Sequence, residues 1–160
     1  EKDNKNIIYG IHYGHFDYCL DKKIWPFPEP FHIEYWEIIT PLIKICLKYK
    51  KKFIQTPYPL INNEKIFWSS FKYLERISKN SFLITLVNLN EKFQKTQKKI
   101  LPLNLKRMSK NKQYSISFAK KVIQEYEINE KNKKSFSLTK KRFIPPHQYI
   151  MAKKYLKNEK

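Results

Sequence analysis

Glycine is nearly missing from this chain: two in 160 residues, at positions 10 and 14. So little glycine excludes a phosphate-cradling glycine loop, a collagen-like repeat and a glycine-rich linker. Cysteine is as sparse. Cys19 and Cys46 are far apart and have no metal-ligand spacing around them, so neither a disulfide framework nor a zinc site is expected, and a reducing compartment is. Carboxylates are also short, 14 against 33 lysines and arginines. Glu34 and Glu37 have no companion nucleophile. The four histidines, at 12, 15, 32 and 147, are scattered. His12 and His15, three apart on a strand, face opposite sides and make no ligand pair. No Ser-His-Asp set appears, and catalysis is not expected. No apolar run approaches the roughly 20 residues of a membrane span. The first residue is Glu1 rather than Met, and the expectation is that a leader or removed targeting sequence preceded it.

What is present is positive charge, a formal +19, with 41% apolar and 16% aromatic residues. The apolar content suffices for one domain with a core plus extensions. The charge would repel itself in an isolated compact chain, so a polyanionic partner is expected, with nucleic acid favoured. An A/T-rich genome accounts for Lys over Arg, but not for Lys over Glu.

Residues 1–6 are polar and read as a frayed end. Residues 7–17 alternate apolar and polar and predict a strand. Residues 18–31 hold Trp25-Pro-Phe-Pro-Glu-Pro, a polyproline-like loop that packs Trp25 and Phe27 on its own domain or a neighbour. Residues 32–49 give the clearest helix, with Tyr35, Ile38, Ile39, Leu42, Ile43, Cys46 and Leu47 at helical spacing and a kink or restart at Pro41. Its basic end, 48–52, suits a helix C-terminus. Residues 53–55 start a second strand. Residues 56–80 read as a long projecting arm, stiffened at its entry by Pro57 and Pro59. Residues 82–87 read as a buried strand, 91–101 as a second helix and 113–118 as a last strand. This order predicts an α+β fold of the ferredoxin-like, split βαβ kind (βαββαβ), with two helices on one face of an antiparallel sheet. The domain spans 7–118. Residues 119–160 form a basic C-terminal extension, with amphipathic helices expected near 119–128 and 147–157.

His15-Phe16-Asp17, Thr56-Pro57-Tyr58-Pro59-Leu60, Ser70-Phe71-Lys72 and Leu101-Pro102-Leu103-Asn104-Leu105, in this order, resemble motifs of the tenth protein of the ribosomal small subunit, in its mitochondrial form. His15-Phe16-Asp17 matches the end of the family's first strand. Thr56-Pro57-Tyr58-Pro59-Leu60 matches its proline-rich entry, with Thr56 where the family has Gly. Ser70-Phe71-Lys72 stands at its Ser-Pro-His element, and Thr85 follows at the family spacing. Leu101-Pro102-Leu103-Asn104-Leu105 matches the segment before the last strand. The resemblance covers about residues 7–118 and implies a structural constituent of an organellar small subunit, mitochondrial rather than plastid. The implied partners are ribosomal RNA and neighbouring ribosomal proteins, with no cofactor and no small-molecule substrate.

On this reading the arm enters folded RNA. Lys65, Lys72, Arg76 and Lys79 supply phosphate contacts. Asn62, Asn63, Ser69 and Ser70 donate to phosphate and ribose. Tyr58, Trp68, Phe71 and Tyr73 stack on bases. In the tail, Lys133, Lys134, Lys140, Lys141 and Arg142 meet RNA or protein. Two alternatives stay open: a large-subunit mitochondrial ribosomal protein of the same fold, and a basic accessory subunit of a mitochondrial membrane complex. An acyl-phosphate hydrolase, which the same fold also hosts, lacks its Arg in the first strand-to-helix loop.

Overall fold

The computed structural model describes residues 8–60, 62–79, 84–85, 100–111, 116–132, 137–138 and 143–158. Strand β1 (Gly10–Tyr13) leads into helix α1 (His15–Asp21), and α2 (Ile33–Lys48) leads into β2 (Lys52–Gln55). Then come α3 (Glu64–Ser78), β3 (Ile84–Thr85) and a 3-10 turn (Leu105–Arg107). The C-terminal part holds α4 (Ile116–Lys131), β4 (Ser137–Leu138), β5 (Phe143–Ile144) and α5 (Pro146–Asn158).

The fold mixes helix and strand as expected, but its strands run another way. The main sheet has the order β1-β2-β3 and both of its pairings are parallel, with Ile11 opposite Phe53 and Phe53 opposite Ile84, while β4 and β5 pair antiparallel as a separate two-stranded sheet. Strands β1 to β3 therefore form a βαβαβ unit, not the antiparallel split βαβ sheet. The cause lies in residues 64–78. They form a helix instead of a projecting arm. A helix carries the chain back along the sheet, so the next strand enters parallel. Of the expected strand at 82–87, only Ile84 and Thr85 are described, and both are strand.

Helices α2 and α3 cover the same sheet face. Tyr35, Trp36, Ile39, Ile43 and Cys46 of α2 and Tyr73 and Leu74 of α3 are buried in one core with Tyr13 and Phe53. Pro41 falls on the exposed side of α2, which runs through it as one helix. The other face, carrying His12, Lys52 and Ile54, is exposed. Gly10 is required where β1 meets β2: an added Cβ would sit 2.6 Å from the carbonyl oxygen of Lys52.

Other expectations shift locally. The first strand is shorter than 7–17, because residues 15–17 open α1. Residues 116–118, expected as strand, begin α4, and 112–115 lie outside the described residues. Of the expected helix 91–101, residues 91–99 are outside the described set, and Ile100 and Leu101 are not helical. The proline-rich loop packs on its own domain. Phe27 is buried with Cys19 and Met151, and the Trp36 indole N–H donates to the Pro30 carbonyl at 2.8 Å.

Helices α4 and α5 appear near their expected places. They are docked on the body: Val122, Ile144 and Ala152 share a cluster with Trp25, and His147 Nε2 lies 2.7 Å from Asp17 Oδ1 of α1. Among the described residues no helix is long and apolar enough to cross a membrane.

Candidate nucleic-acid interface

Helix α3 brings the predicted cations together. Asn63 caps it, its side-chain oxygen accepting from the Ile66 N–H at 3.2 Å. Lys79 closes it in the left-handed conformation. Phe67, Ser70, Tyr73, Leu74 and Ser78 are buried on the inner side, and Ser69 is buried as well. Lys65, Lys72, Arg76 and Lys79 follow at steps of seven, four and three residues. At 3.6 residues per turn Lys65, Lys72 and Arg76 fall within about 40° of one another, in a stripe about 17 Å long opposite the buried side, and Lys79 follows at the cap just past its end. Lys65, Arg76 and Lys79 are exposed. Lys72 is partly occupied by Glu75, 3.0 Å away, and the Arg76 guanidinium lies over the Tyr73 ring at 5.6 Å.

The remaining predicted contacts divide. Tyr58 is 1% exposed and packs edge-on against Phe67, with burial pushing its phenol pKa up. Tyr73 is a core residue on Trp36. Ser69 and Ser70 are buried, and the Ser70 hydroxyl donates to the Ile66 carbonyl at 2.8 Å. These four cannot meet RNA as placed: each lies on the inward side of a helix or under it, where an arm would have left both sides open. Trp68 is half-buried, its ring 5.6 Å from that of Phe71. Asn62 and Asn63 are exposed at the helix entry, and Asn63 is engaged as the cap. Lys133, Lys134, Lys140, Lys141 and Arg142 lie outside the described residues.

The helical register of these cations escaped the sequence reading. It becomes visible only once 64–78 is recognised as a helix, since in an extended arm the same residues point to several sides.

A second constellation looks chemical and is structural. His15 Nε2 lies 2.8 Å from the Pro28 carbonyl and so donates to it, leaving Nδ1 to accept from the Tyr13 hydroxyl at 3.1 Å. Cys19 Sγ is 3.6 Å from the ring. Burial pushes the thiol up to about 12 and holds the imidazole down to about 4. The pair is neutral and closed to solvent, the opposite of an activated cysteine. Thr56, where the resembled family has Gly, is also structural: its hydroxyl accepts from the His15 N–H and donates to the Tyr13 carbonyl, joining the ends of β1 and β2. No group of three or more potential metal ligands occurs among the described residues.

Comparison with protein-family models, curated proteins and solved structures finds no match to this chain.

Proposed function

We propose that the chain is a structural, RNA-binding constituent of a mitochondrial ribosome, in the head of the small subunit, acting by stabilising folded ribosomal RNA and its protein neighbours without turnover. The observation that carries this reading is the cationic stripe of α3, turned away from the core of a protein with a formal charge of +19. A helix face with three cations in line and a fourth at its cap suits the phosphate backbone, whose contacts position a protein without reading sequence. The motifs shared with the small-subunit family support the assignment to a ribosome. Its ferredoxin-like topology is not what strands β1 to β3 adopt, so RNA binding rests on charge and surface, and the ribosomal assignment on those motifs alone.

Two measurements test it. Affinity for ribosomal RNA should fall by orders of magnitude between about 50 and 200 mM salt if six or more phosphates are engaged; a flat salt response would refute the proposal. On a sucrose gradient of mitochondrial lysate the chain should travel with the small subunit. Sedimentation with the large subunit would move it to that particle, and recovery with RNA-free membrane complexes would overturn the ribosomal reading.

A further inference from the structure

The amino-terminal end of the parallel sheet carries a surface that the α3 stripe does not include. Helix α2 ends there and turns at once into β2. The turn is closed by the Tyr49 N–H on the Ile45 carbonyl, at 3.1 Å, and the Lys50 N–H on that of Leu47, also at 3.1 Å. The Lys52 N–H then donates to the Tyr9 carbonyl at 3.0 Å, which sets the start of β1 beside the turn. Two aromatic rings stand out of this end into solvent, Tyr9 at 84% exposure and Tyr49 at 56%. Of the ten large hydrophobic side chains exposed among the described residues, six lie at 8–11 and 45–54, so exposed apolar surface is concentrated here.

Charge defines what this patch can take. From 38 to 63 the chain has no carboxylate and five lysines. Lys48, Lys50 and Lys52 are exposed at this turn and strand start, with the Lys48 ammonium 5.5 Å from the centre of the Tyr49 ring. Lys50 holds φ at 53°, a conformation that disfavours a residue with a Cβ. The last turn of α3, with Arg76 and Lys79, leads toward β3, the strand next to β2, so the cationic stripe runs toward the same end of the sheet.

Resting on the RNA-binding reading, we propose that this end of the sheet binds an unpaired RNA segment, its bases stacked on Tyr9 and Tyr49 and its phosphates held by Lys48, Lys50 and Lys52. Exposed aromatic faces interleaved with cations are the recurring chemistry of single-stranded nucleic-acid binding, since every base offers a face to stack on. A duplex keeps its bases stacked inward and can use only the lysines. An interfacial membrane site would instead bury a broad apolar face; here the isoleucines beside Tyr9 are only about half exposed.

The full chain, its Tyr9→Ser/Tyr49→Ser variant and its Lys65→Ala/Arg76→Ala variant would be titrated with a fluorescein-labelled twelve-nucleotide oligouridine, a blunt RNA duplex of equal length, and phosphatidylglycerol vesicles. Far-UV circular dichroism would check that each variant is folded. The tyrosine variant should weaken oligouridine binding about tenfold or more and change duplex binding less than about twofold. Ultraviolet crosslinking of the unaltered protein to oligouridine should tag Tyr9 or Tyr49 in peptide mass spectra. Equal losses on both RNAs, no loss on either, or crosslinks confined to other residues would overturn this site. A loss seen only with vesicles would overturn it in favour of a membrane surface. If the α3 variant binds both RNAs normally while the tyrosine result holds, the stripe is refuted and this site stands. If the unaltered chain binds neither RNA at low salt, both readings fall.

Discussion

The imidazole of His15 is buried, neutral and hydrogen-bonded at both nitrogens, with its pKa held near 4 by burial. The sign of the resulting pH dependence is fixed by linkage. In the unfolded chain the ring titrates near 6.5, so below that pH the unfolded state takes up a proton that the folded state refuses. Stability is therefore complete above about 6.5 and declines toward 4. Between pH 6.5 and 5 this one group should remove about 2 kcal/mol. His32, also lowered by burial, acts in the same direction. Urea midpoints across that window check this, and His15→Gln should remove most of the slope. Lysine in the left-handed conformation is a second residue-scale feature. Lys23, Lys50 and Lys79 have φ of 54°, 53° and 52°, each just past a helix, where glycine is usual. Lys23→Gly and Lys79→Gly should each stabilise by about 1 kcal/mol in chemical denaturation, because glycine loses the Cβ penalty. Only Lys79→Gly should also weaken RNA binding, since Lys23 lies outside both proposed surfaces.

At the scale of elements, α3 decides the topology and was the hardest to see. The run containing Tyr35, Ile39, Ile43 and Cys46 announced α2 because its buried side is apolar throughout. Helices α4 and α5 were legible for a related reason, short apolar stripes between charged flanks. In α3 the buried side includes Ser69, Ser70 and Ser78, which resemble exposed donors in a sequence. Behind Pro57 and Pro59 they suggested an arm. With α3 misread, the strand directions followed wrongly, because the connecting element decides whether the next strand enters parallel or antiparallel. The cations of the site were legible from composition, and their alignment was not. Asn63 separates the two roles assigned to this region. As the cap of α3 it should cost about 1 kcal/mol when changed to Ala, read from the denaturation midpoint, with RNA affinity changed less than about twofold. A large affinity loss without a stability loss would return Asn63 to the interface.

At the scale of the whole molecule, the C-terminal helices are part of the body, although the chain's composition marked 119–160 as an extension. Residues far apart in sequence meet there: Met151 of α5 closes over Cys19 of α1 and Phe27 of the proline-rich loop, and Tyr155 lies against Trp25. The His147–Asp17 contact adds a polar tie at the same junction, exposed enough to contribute less than the packing. Burial of Cys19 therefore depends on α5 being docked, whereas Cys46 is buried in the main core among α2 and its neighbours. Replacing Met151 by Ala should cost about 2–5 kcal/mol and loosen this junction first. The two cysteines give a direct readout in the intact chain. Under native conditions both should resist a thiol reagent in the unaltered protein. In Met151→Ala, Cys19 should label much faster while Cys46 stays protected, because local opening of α5 uncovers one thiol and global unfolding uncovers both. Parallel acceleration of the two thiols would mean that the C-terminal helices unfold together with the sheet as one cooperative unit.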